Sequence, residues 1–270
     1  MKFIFSFLFL LLLLFPLSSF AQDNVKNSIA VIELFTGRGC MDAAPADDVL
    51  KSMFDKQYSY DGDVILLSCH VMKYKPNSAS TSLAHKFCGE RQILYNRAHV
   101  SGNIVIPQII LNGKFDMGGD KEHIIDSGIK MAHSLFRVGP LDVYLDGEEL
   151  KVNLPNLPLD SPIDLWVMGY EHMNNIELEE DVAGVLKKTV RKYANIVRHI
   201  EKIPLAGNYE KAFSYSLKEM PADGYAVIIQ YSDLSEMLFA GKIEHFKPEN
   251  TPLAYTQDPV NLIGKASNIQ

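Results

Sequence analysis

The first half of the chain contains several apolar runs that are typical of buried strands. Continuous runs over residues 28–36, 64–71 and 106–111 predict three such strands. Asn112-Gly113 follows the third run and is a strong hairpin signal, so it predicts a fourth, short strand over residues 114–117. The first half therefore contains four predicted strands, the last two joined by a tight turn.

Helices are predicted between and after these strands, because apolar residues recur there at helical spacing. The first helix follows Gly39-Cys40 and begins near Pro45, a position at which proline is tolerated. The second covers residues 81–98 and the third covers residues 121–136. The core-facing residues predicted for the first two helices are Ala46, Val49, Leu50, Met53, Phe54, Leu83, Phe87, Leu94 and Tyr95.

The predicted elements follow the order β-α-β-α-β-β-α. Both crossovers are long enough for parallel pairing of the strands that they join, and the last pair is a hairpin. This is the order of a thioredoxin-like α/β domain, which we assign to residues 28–136. Pro107 begins the third strand, where that fold keeps a cis-proline facing the active site. The sequence leaves open whether the Ile106-Pro107 bond is cis.

The second half changes to short apolar segments separated by turn residues such as Asp146-Gly147 and Asp223-Gly224. Seven segments of this kind cover residues 141–145, 150–154, 163–170, 185–200, 212–217, 225–232 and 237–245. Strands at this spacing predict a β-rich, antiparallel, sandwich-like domain over residues 140–247. Residues 248–270 lack periodicity and are predicted to form a loose C-terminal tail.

The N-terminus has the pattern of a secretory signal. Lys2 precedes an apolar run over residues 3–17, and the small residues Ser19 and Ala21 follow it. We predict a signal peptide over residues 1–21, with cleavage after Ala21, and a periplasmic or secreted location. A membrane anchor is the alternative, but the run is shorter than the ~20 apolar residues that a spanning helix needs. After cleavage no membrane association is expected.

Charge and cysteine content restrict the possible partners. The net charge of −7 argues against nucleic acid and anionic membranes as ligands. The chain has three cysteines, Cys40, Cys69 and Cys88, and export places them in an oxidising compartment. One disulfide and one remaining thiol are expected. No nucleotide-binding or other cofactor motif occurs, so no cofactor is predicted, and the oligomeric state is left open.

Several short motifs extend over nearly the whole chain after residue 28. They are Ile32-Glu33-Leu34-Phe35-Thr36, Gly39-Cys40, Pro45-Ala46-Asp47, Ser68-Cys69-His70-Val71, Arg91-Gln92 with Tyr95, Pro107-Gln108 and Asn112-Gly113, with weaker ones at Val197-Arg198 and from Ala226 to Gln230. In their order and spacing these motifs resemble a family of bacterial secreted proteins known as domain of unknown function 1223. The resemblance implies a thioredoxin-like fold and export, and it implies no particular reaction. Members commonly carry Cys-x-x-Cys, whereas here Ala43 replaces the second cysteine.

The leading hypothesis is a thiol-disulfide oxidoreductase whose activity is degenerate or altered. Cys40 precedes a helix, and a helix N-terminus favours the reactive thiolate. Cys40 is therefore the candidate attacking thiol, and Pro107 is the residue expected to shape the substrate groove. Because no neighbouring thiol is present, Cys69 or Cys88 is the candidate resolving residue, through a disulfide with Cys40. The sequence does not choose between the two, and Cys69 has the alternative of being a buried packing residue.

Two further classes of function are compatible with the sequence. The first is a binding module without catalysis, which holds an exported protein or peptide in the thioredoxin-like crevice or at the edge of the β-rich region. The second is a copper-handling protein, since thiolate, thioether and imidazole groups suit soft metals. The candidate metal ligands are Cys40, Met41, Cys69, His70 and Met72.

Overall fold

The computed structural model of the 270-residue chain describes residues 28–37, 43–56, 63–71, 83–99, 104–158, 160–182, 185–205, 209–218 and 220–244. The predicted signal peptide (residues 1–21) and the predicted tail (residues 248–270) lie outside these ranges. No helix of the described residues has the length and apolar character that crossing a membrane requires.

The first half of the described chain folds as alternating strands and helices. Its elements are β1 (Ile29–Thr36), α1 (Ala43–Lys56), β2 (Asp63–His70), α2 (Lys86–His99), β3 (Gln108–Leu111), β4 (Phe115–Met117) and α3 (Glu122–Leu135). β1 pairs parallel with β2 and antiparallel with β3, and β3 pairs antiparallel with β4. Asn112 and Gly113 join β3 to β4 with φ angles of 49° and 69°, the left-handed geometry that a tight hairpin requires.

The second half consists of strands in its described part. They are β5 (Gly139–Pro140), β6 (Asp142–Asp146), β7 (Glu149–Asn153), β8 (Ile163–Val182), β9 (Val185–Leu205), β10 (Ala212–Ser216), β11 (Gly224–Tyr231) and β12 (Met237–Glu244). β8 and β9 form a long antiparallel hairpin whose register shifts between Gly169 and Tyr170. The sequence pattern located the start of β8 but not its extension beyond Tyr170, because the polar and acidic residues there lack an alternating apolar face.

Strands of both halves belong to one nine-stranded sheet with the order β4-β3-β1-β2-β9-β8-β11-β12-β5. The two halves join where β2 pairs with β9, at Ser68 and Ile196. The sheet curls back on itself, since Val138, just before β5, forms a bridge with Ile29 at the start of β1. The residues predicted as two domains therefore share one sheet, and one apolar cluster contains side chains of both.

Three groups of elements pack against this sheet, and each encloses its own cluster of buried apolar residues. The outer face of β1, β2 and β3 packs against α1 and α3 around Leu34, Leu50 and Ile129. The outer face of β8 and β11 packs against a second sheet, of order β10-β7-β6. The inner face of the curled sheet packs against α2, whose Cys88 and Tyr95 are buried there.

The predicted boundaries of α2 require correction. The helix begins at Lys86 rather than at residue 81, because the backbone amide of His85 donates to the carbonyl oxygen of His70 and holds that stretch beside the end of β2. Phe87 and Leu94 are 45% and 39% exposed, so they do not face the core as predicted. The buried residues of the helix are instead Cys88, Arg91, Gln92, Tyr95 and Asn96. Polar side chains occupy most of the buried stripe, and an apolar pattern does not detect them.

Candidate functional site

The ends of β1 and β2 lie beside the bend that opens β3. The carbonyl oxygen of Thr36 accepts a 2.9 Å hydrogen bond from the amide of Val71. The Ile106-Pro107 peptide bond before β3, which the sequence left open, is cis. A Cβ built on Gly37 would lie 3.5 Å from Cγ2 of Ile106 and 4.0 Å from the carbonyl oxygen of Val71. The chain therefore leaves β1 within van der Waals range of the cis-proline bend.

The segment that carries Cys40 leaves β1 at this bend. Cys40 and Met41 lie outside the described residues, as does Met72. Both ends of the segment are described: Gly37 follows β1 beside Ile106, and Ala43 is the buried first residue of α1. In the sequence, Cys40 is thus three residues from Gly37, which lies beside the cis-proline bend, and three residues from Ala43, where α1 begins.

Cys69 and Cys88 are bonded to each other. Cys69 is the next-to-last residue of β2, Cys88 lies in the first turn of α2, and their Cα atoms are 5.4 Å apart. The two pairings that the sequence left open, each with Cys40, are therefore not the pairing in this structure. The reason is that both side chains point into the inner-face cluster between β2 and α2. In this disulfide neither sulfur is a thiol that can resolve a mixed disulfide at Cys40.

The described members of the predicted metal set do not converge. Adjacent residues of a strand point to opposite faces, so Cys69 and His70 diverge. Cys69 is bonded to Cys88 on the inner face, and the ring of His70 lies 5.0 Å from that of Tyr193. The expectation that Cys69 and His70 share a metal is therefore corrected. Within the described ranges, no three His, Cys, Asp or Glu side chains are grouped to hold a metal ion.

Asp47 places a buried carboxyl group on α1, four residues after Ala43. Burial raises the pKa of Asp47 from 3.8 to about 7, although the hydroxyl of Thr36 and the charge of Arg191 favour the ionised form. Its Oδ1 has no hydrogen-bond partner among the described residues. A carboxyl group that titrates near neutral pH can hold or release a proton in the range where thiols ionise. The sequence pattern alone did not identify Asp47 as a site residue.

The inner face carries a buried ion pair beside the disulfide. Arg91 of α2 donates from Nε and Nη2 to the two carboxylate oxygens of Glu33, at 2.5 and 3.0 Å. The same Nη2 donates to the hydroxyl of Tyr95 at 2.7 Å and to Oε1 of Gln230 at 3.1 Å. The guanidinium carbon lies 4.3 Å from the ring centroid of Trp166. One side chain of α2 thus connects β1 with β8 and β11, on opposite sides of the curled sheet.

This network fixes the ionisation of Arg91 and Tyr95. Burial alone would lower the pKa of Arg91, but the carboxylate of Glu33 raises it, so the guanidinium stays charged. Burial raises the pKa of Tyr95 well above 10, so its hydroxyl stays protonated and donates to Oε1 of Glu33 at 2.5 Å. These hydrogen bonds join side chains that are buried on the inner face. We therefore interpret the network as a structural feature that aligns α2 with the site.

Most of the described chain matches the model of one protein family. A family model described as "Protein of unknown function (DUF1223)" matches residues 31–230. Among solved structures, a crystal structure of a protein from Agrobacterium tumefaciens, a structural genomics target, is similar with a TM-score of 0.65 and 23% identity; the match covers 83% of this chain and 97% of that chain. At this identity the likeness concerns the fold alone. No curated protein matches.

Proposed function

The chain belongs to the DUF1223 family of proteins of unknown function, and we propose that it is an exported, thioredoxin-like protein that exchanges disulfides through the single thiol of Cys40. This hypothesis differs from a two-cysteine oxidoreductase in one respect. The second thiol comes from the substrate or from a small thiol, and not from this chain.

The arrangement of the first four strands supports the thioredoxin-like part of the proposal. β1 and β2 are parallel neighbours, β3 is antiparallel to β1, and β4 is joined to β3 by a hairpin. α1 and α3 cover one face of these strands and α2 covers the other. The apolar segment before Ala21 supports the exported part of the proposal.

The proposed chemistry depends on one observation: Gly37, at the end of β1, lies within van der Waals distance of the cis-proline bend. In α/β sheets, groups that follow the carboxyl ends of strands surround the functional crevice. Cys40 follows β1 at that end and precedes α1, whose N-terminal amides and dipole favour a thiolate. Pro107 then forms the opposite wall of the crevice.

The exchange consists of two balanced steps. The thiolate of Cys40 attacks one sulfur of a substrate disulfide, which forms a mixed disulfide at Cys40 and releases the other substrate sulfur as a thiolate. A second thiolate, either another thiol of the substrate or a small thiol, then attacks the substrate sulfur of the mixed disulfide. Cys40 leaves as a thiolate and the cycle closes with no net oxidation of this chain. Asp47, whose pKa is about 7, is the group that takes up or supplies the proton as thiols and thiolates interchange.

The test is adduct formation with glutathione disulfide, followed by mass spectrometry of the purified protein. We expect one glutathionyl group on Cys40, removal of that group by added thiol, and isomerisation of a scrambled disulfide protein. Cys40→Ser should abolish all three, whereas the double variant Cys69→Ala/Cys88→Ala should keep the adduct on Cys40. A Cys40→Ser protein that isomerises disulfides as fast as the unmodified chain would show that the proposal is wrong.

A non-catalytic binding module is the second candidate, and one observation favours it. Ile104 and Val105, which precede the cis-proline bend, are 52% and 49% exposed although both are large apolar residues. Exposed apolar side chains beside a crevice suit an extended peptide. In this case Cys40→Ser would bind unfolded polypeptides as tightly as the unmodified chain, and neither protein would catalyse exchange.

A further inference from the structure

The amide group of Gln92 contacts both sides of the cis-proline bend. Its Nε2 donates to the carbonyl oxygen of Val105 and to Oε1 of Gln108, each at 2.9 Å. Val105 lies two residues before Pro107 and Gln108 follows it directly. A single buried nitrogen on α2 therefore holds the chain on either side of the Ile106-Pro107 bond.

This contact is part of a chain of side-chain hydrogen bonds that ends on β4. Gln108 Nε2 donates to Oδ2 of Asp116 at 2.7 Å. Asn96, one helical turn beyond Gln92, donates to the Gln92 carbonyl oxygen at 3.0 Å and lies 3.5 Å from Oε1 of Gln108. Gln92 and Gln108 are both almost fully buried. Since burying amide groups is costly unless they are hydrogen-bonded, this arrangement strongly favours one position for the bend.

α2 is itself fixed by two contacts just before Gln92. Cys88, one turn earlier, is bonded to Cys69 at the end of β2. Arg91, the preceding residue, pairs with Glu33 of β1. The position of α2 relative to the ends of β1 and β2 is thus determined by a covalent bond and an ion pair, and Gln92 transmits that position to the bend.

We propose that Gln92 is a positioning residue that presents Ile104 and Val105 as the contact surface for the substrate, and that the substrate is an extended polypeptide with apolar side chains next to its disulfide. The proposal rests on the proposed function, since Pro107 borders the crevice of Cys40 only there. The backbone of Val105 is held by Gln92, and the apolar side chains of Ile104 and Val105 are about half exposed. This combination favours a polypeptide as the ligand. A small polar disulfide would gain little from these side chains, whereas burying them against an apolar segment removes apolar surface from water.

The test compares two disulfide probes: glutathione disulfide and a disulfide-linked decapeptide with leucine and phenylalanine beside its cysteine. Gln92→Glu keeps the size of the side chain and removes the donor nitrogen. It should raise KM for the peptide disulfide by about tenfold, which corresponds to about 1.4 kcal/mol, and change the rate with glutathione disulfide by much less. A purely structural role of Gln92 would instead lower both rates together or change only the thermal stability.

A second variant avoids the buried position. Ile104→Ser/Val105→Ser changes only exposed side chains, so it should fold normally and reproduce the peptide-specific increase in KM. Leu135→Ser is the matched control, because Leu135 is 69% exposed at the end of α3 and has no predicted role in the site. It should change neither rate.

Peptide binding separates this inference from the proposed function. Fluorescence anisotropy of a labelled, cysteine-free apolar decapeptide does not depend on Cys40. The unmodified chain and Cys40→Ser should bind it equally, and both Gln92→Glu and Ile104→Ser/Val105→Ser should weaken binding by about tenfold. Loss of exchange chemistry with binding intact would overturn only the proposed function. Equal binding by all variants, or no binding by the unmodified chain, would overturn the role of Gln92.

Discussion

The two faces of β1 and β2 accommodate buried charge in different ways. On the inner face, the carboxylate of Glu33 receives two hydrogen bonds from Arg91 and one from Tyr95. On the outer face, the carboxyl group of Asp47 has an oxygen without a partner among the described residues, and its pKa is raised to about 7. The hydrogen-bonded carboxylate of Glu33 holds its surroundings in place, whereas the carboxyl group of Asp47 exchanges protons near neutral pH. We therefore assign structure to the inner face and reactivity to the outer face.

The largest expected effect tests the structural role of the inner face. Arg91→Met leaves the carboxylate of Glu33 buried without its cation, and breaking such a pair costs about 3–5 kcal/mol. The free energy of unfolding, measured with urea, should fall by that amount. The double variant Glu33→Met/Arg91→Met should recover a large part of the loss, because no uncompensated charge remains. Arg97→Met, at an exposed position of the same helix, should change stability by less than about 0.5 kcal/mol. Equal losses for Arg91→Met and Arg97→Met would contradict the assignment.

The next effect tests the outer face through pH. A folded-state pKa of about 7 against 3.8 means that the native protein holds an extra proton on Asp47 between these values. Stability should therefore fall as the pH rises from about 4 to 7, by up to about 4 kcal/mol at 1.36 kcal/mol per pKa unit. Asp47→Asn removes this penalty, so it should be more stable than the unmodified chain at pH 8 and similar to it at pH 4.

The neighbouring residue provides the control for this prediction. Asp48 has a 68% exposed side chain and pairs with Arg191 at 3.2 Å. Asp48→Asn should change stability by less than about 1 kcal/mol, as is usual for exposed ion pairs. Urea unfolding at pH 4, 6 and 8 measures all three proteins. If the unmodified chain and Asp47→Asn show the same pH dependence, Asp47 is not the titrating group.

Removing the disulfide, which lies on the inner face, should change the free energy of unfolding by nearly as much as Asp47→Asn does. Cys69 and Cys88 are 19 residues apart, and closing a loop of this size stabilises a protein by about 3 kcal/mol. Cys69→Ala/Cys88→Ala should lose about that amount, and Cys40→Ala should lose almost none. Thiol counting in denaturant, without reductant, should give one thiol for the unmodified chain and none for Cys40→Ala. No thiol in Cys88→Ala, instead of two, would indicate that Cys40 and Cys69 can pair.

How far the sequence predicted this molecule depends on which interactions fixed each element. β1, β2 and the hairpin at Asn112-Gly113 followed from apolar runs and turn chemistry, which are local signals. The joining of the two halves in one sheet did not, because the pairing of Ser68 with Ile196 joins residues that are distant in the sequence. Nothing local distinguishes that pairing from a boundary between two domains.

The site was predictable in part for the same reason. Pro107 was identified from its position at the start of a strand, which is a local signal. The hydrogen-bond partners of Gln92 are 13 and 16 residues away in the sequence, so no local pattern indicates them. Asp47 had a detectable signal, because it falls at helical spacing among the buried residues Ala43, Ala46, Leu50 and Met53. A carboxylate within an apolar stripe predicts burial and therefore a raised pKa. The partner of Cys69 required knowledge of which face of β2 meets α2, which depends on the packed structure.

The smallest effect concerns a second titratable group near α1, at the point where the β8–β9 hairpin leaves the sheet. His172 contacts Glu244 through Nε2 at 2.7 Å and Asn195 through Nδ1 at 3.2 Å, and its backbone amide donates to Asp223 at 3.1 Å. Its ring lies 5.7 Å from that of Phe54, on α1. Burial alone would lower the pKa of His172, but the carboxylate of Glu244 and the contact with Asn195 raise it above 6.5.

The raised pKa fixes the sign of the pH effect. The ion pair stabilises the fold fully below pH 6.5, and this contribution is lost as the pH rises through the folded-state pKa of His172. Because the ring is partly exposed, we expect a loss of about 0.5–1 kcal/mol. This loss adds to that from Asp47, so it is best measured in Asp47→Asn. In that background, His172→Gln should flatten the remaining pH dependence of the unfolding free energy between pH 6 and 8, whereas His123→Gln, at an exposed position of α3, should leave it in place. If His172→Gln leaves the slope unchanged, a group other than His172 causes the pH dependence that remains in Asp47→Asn.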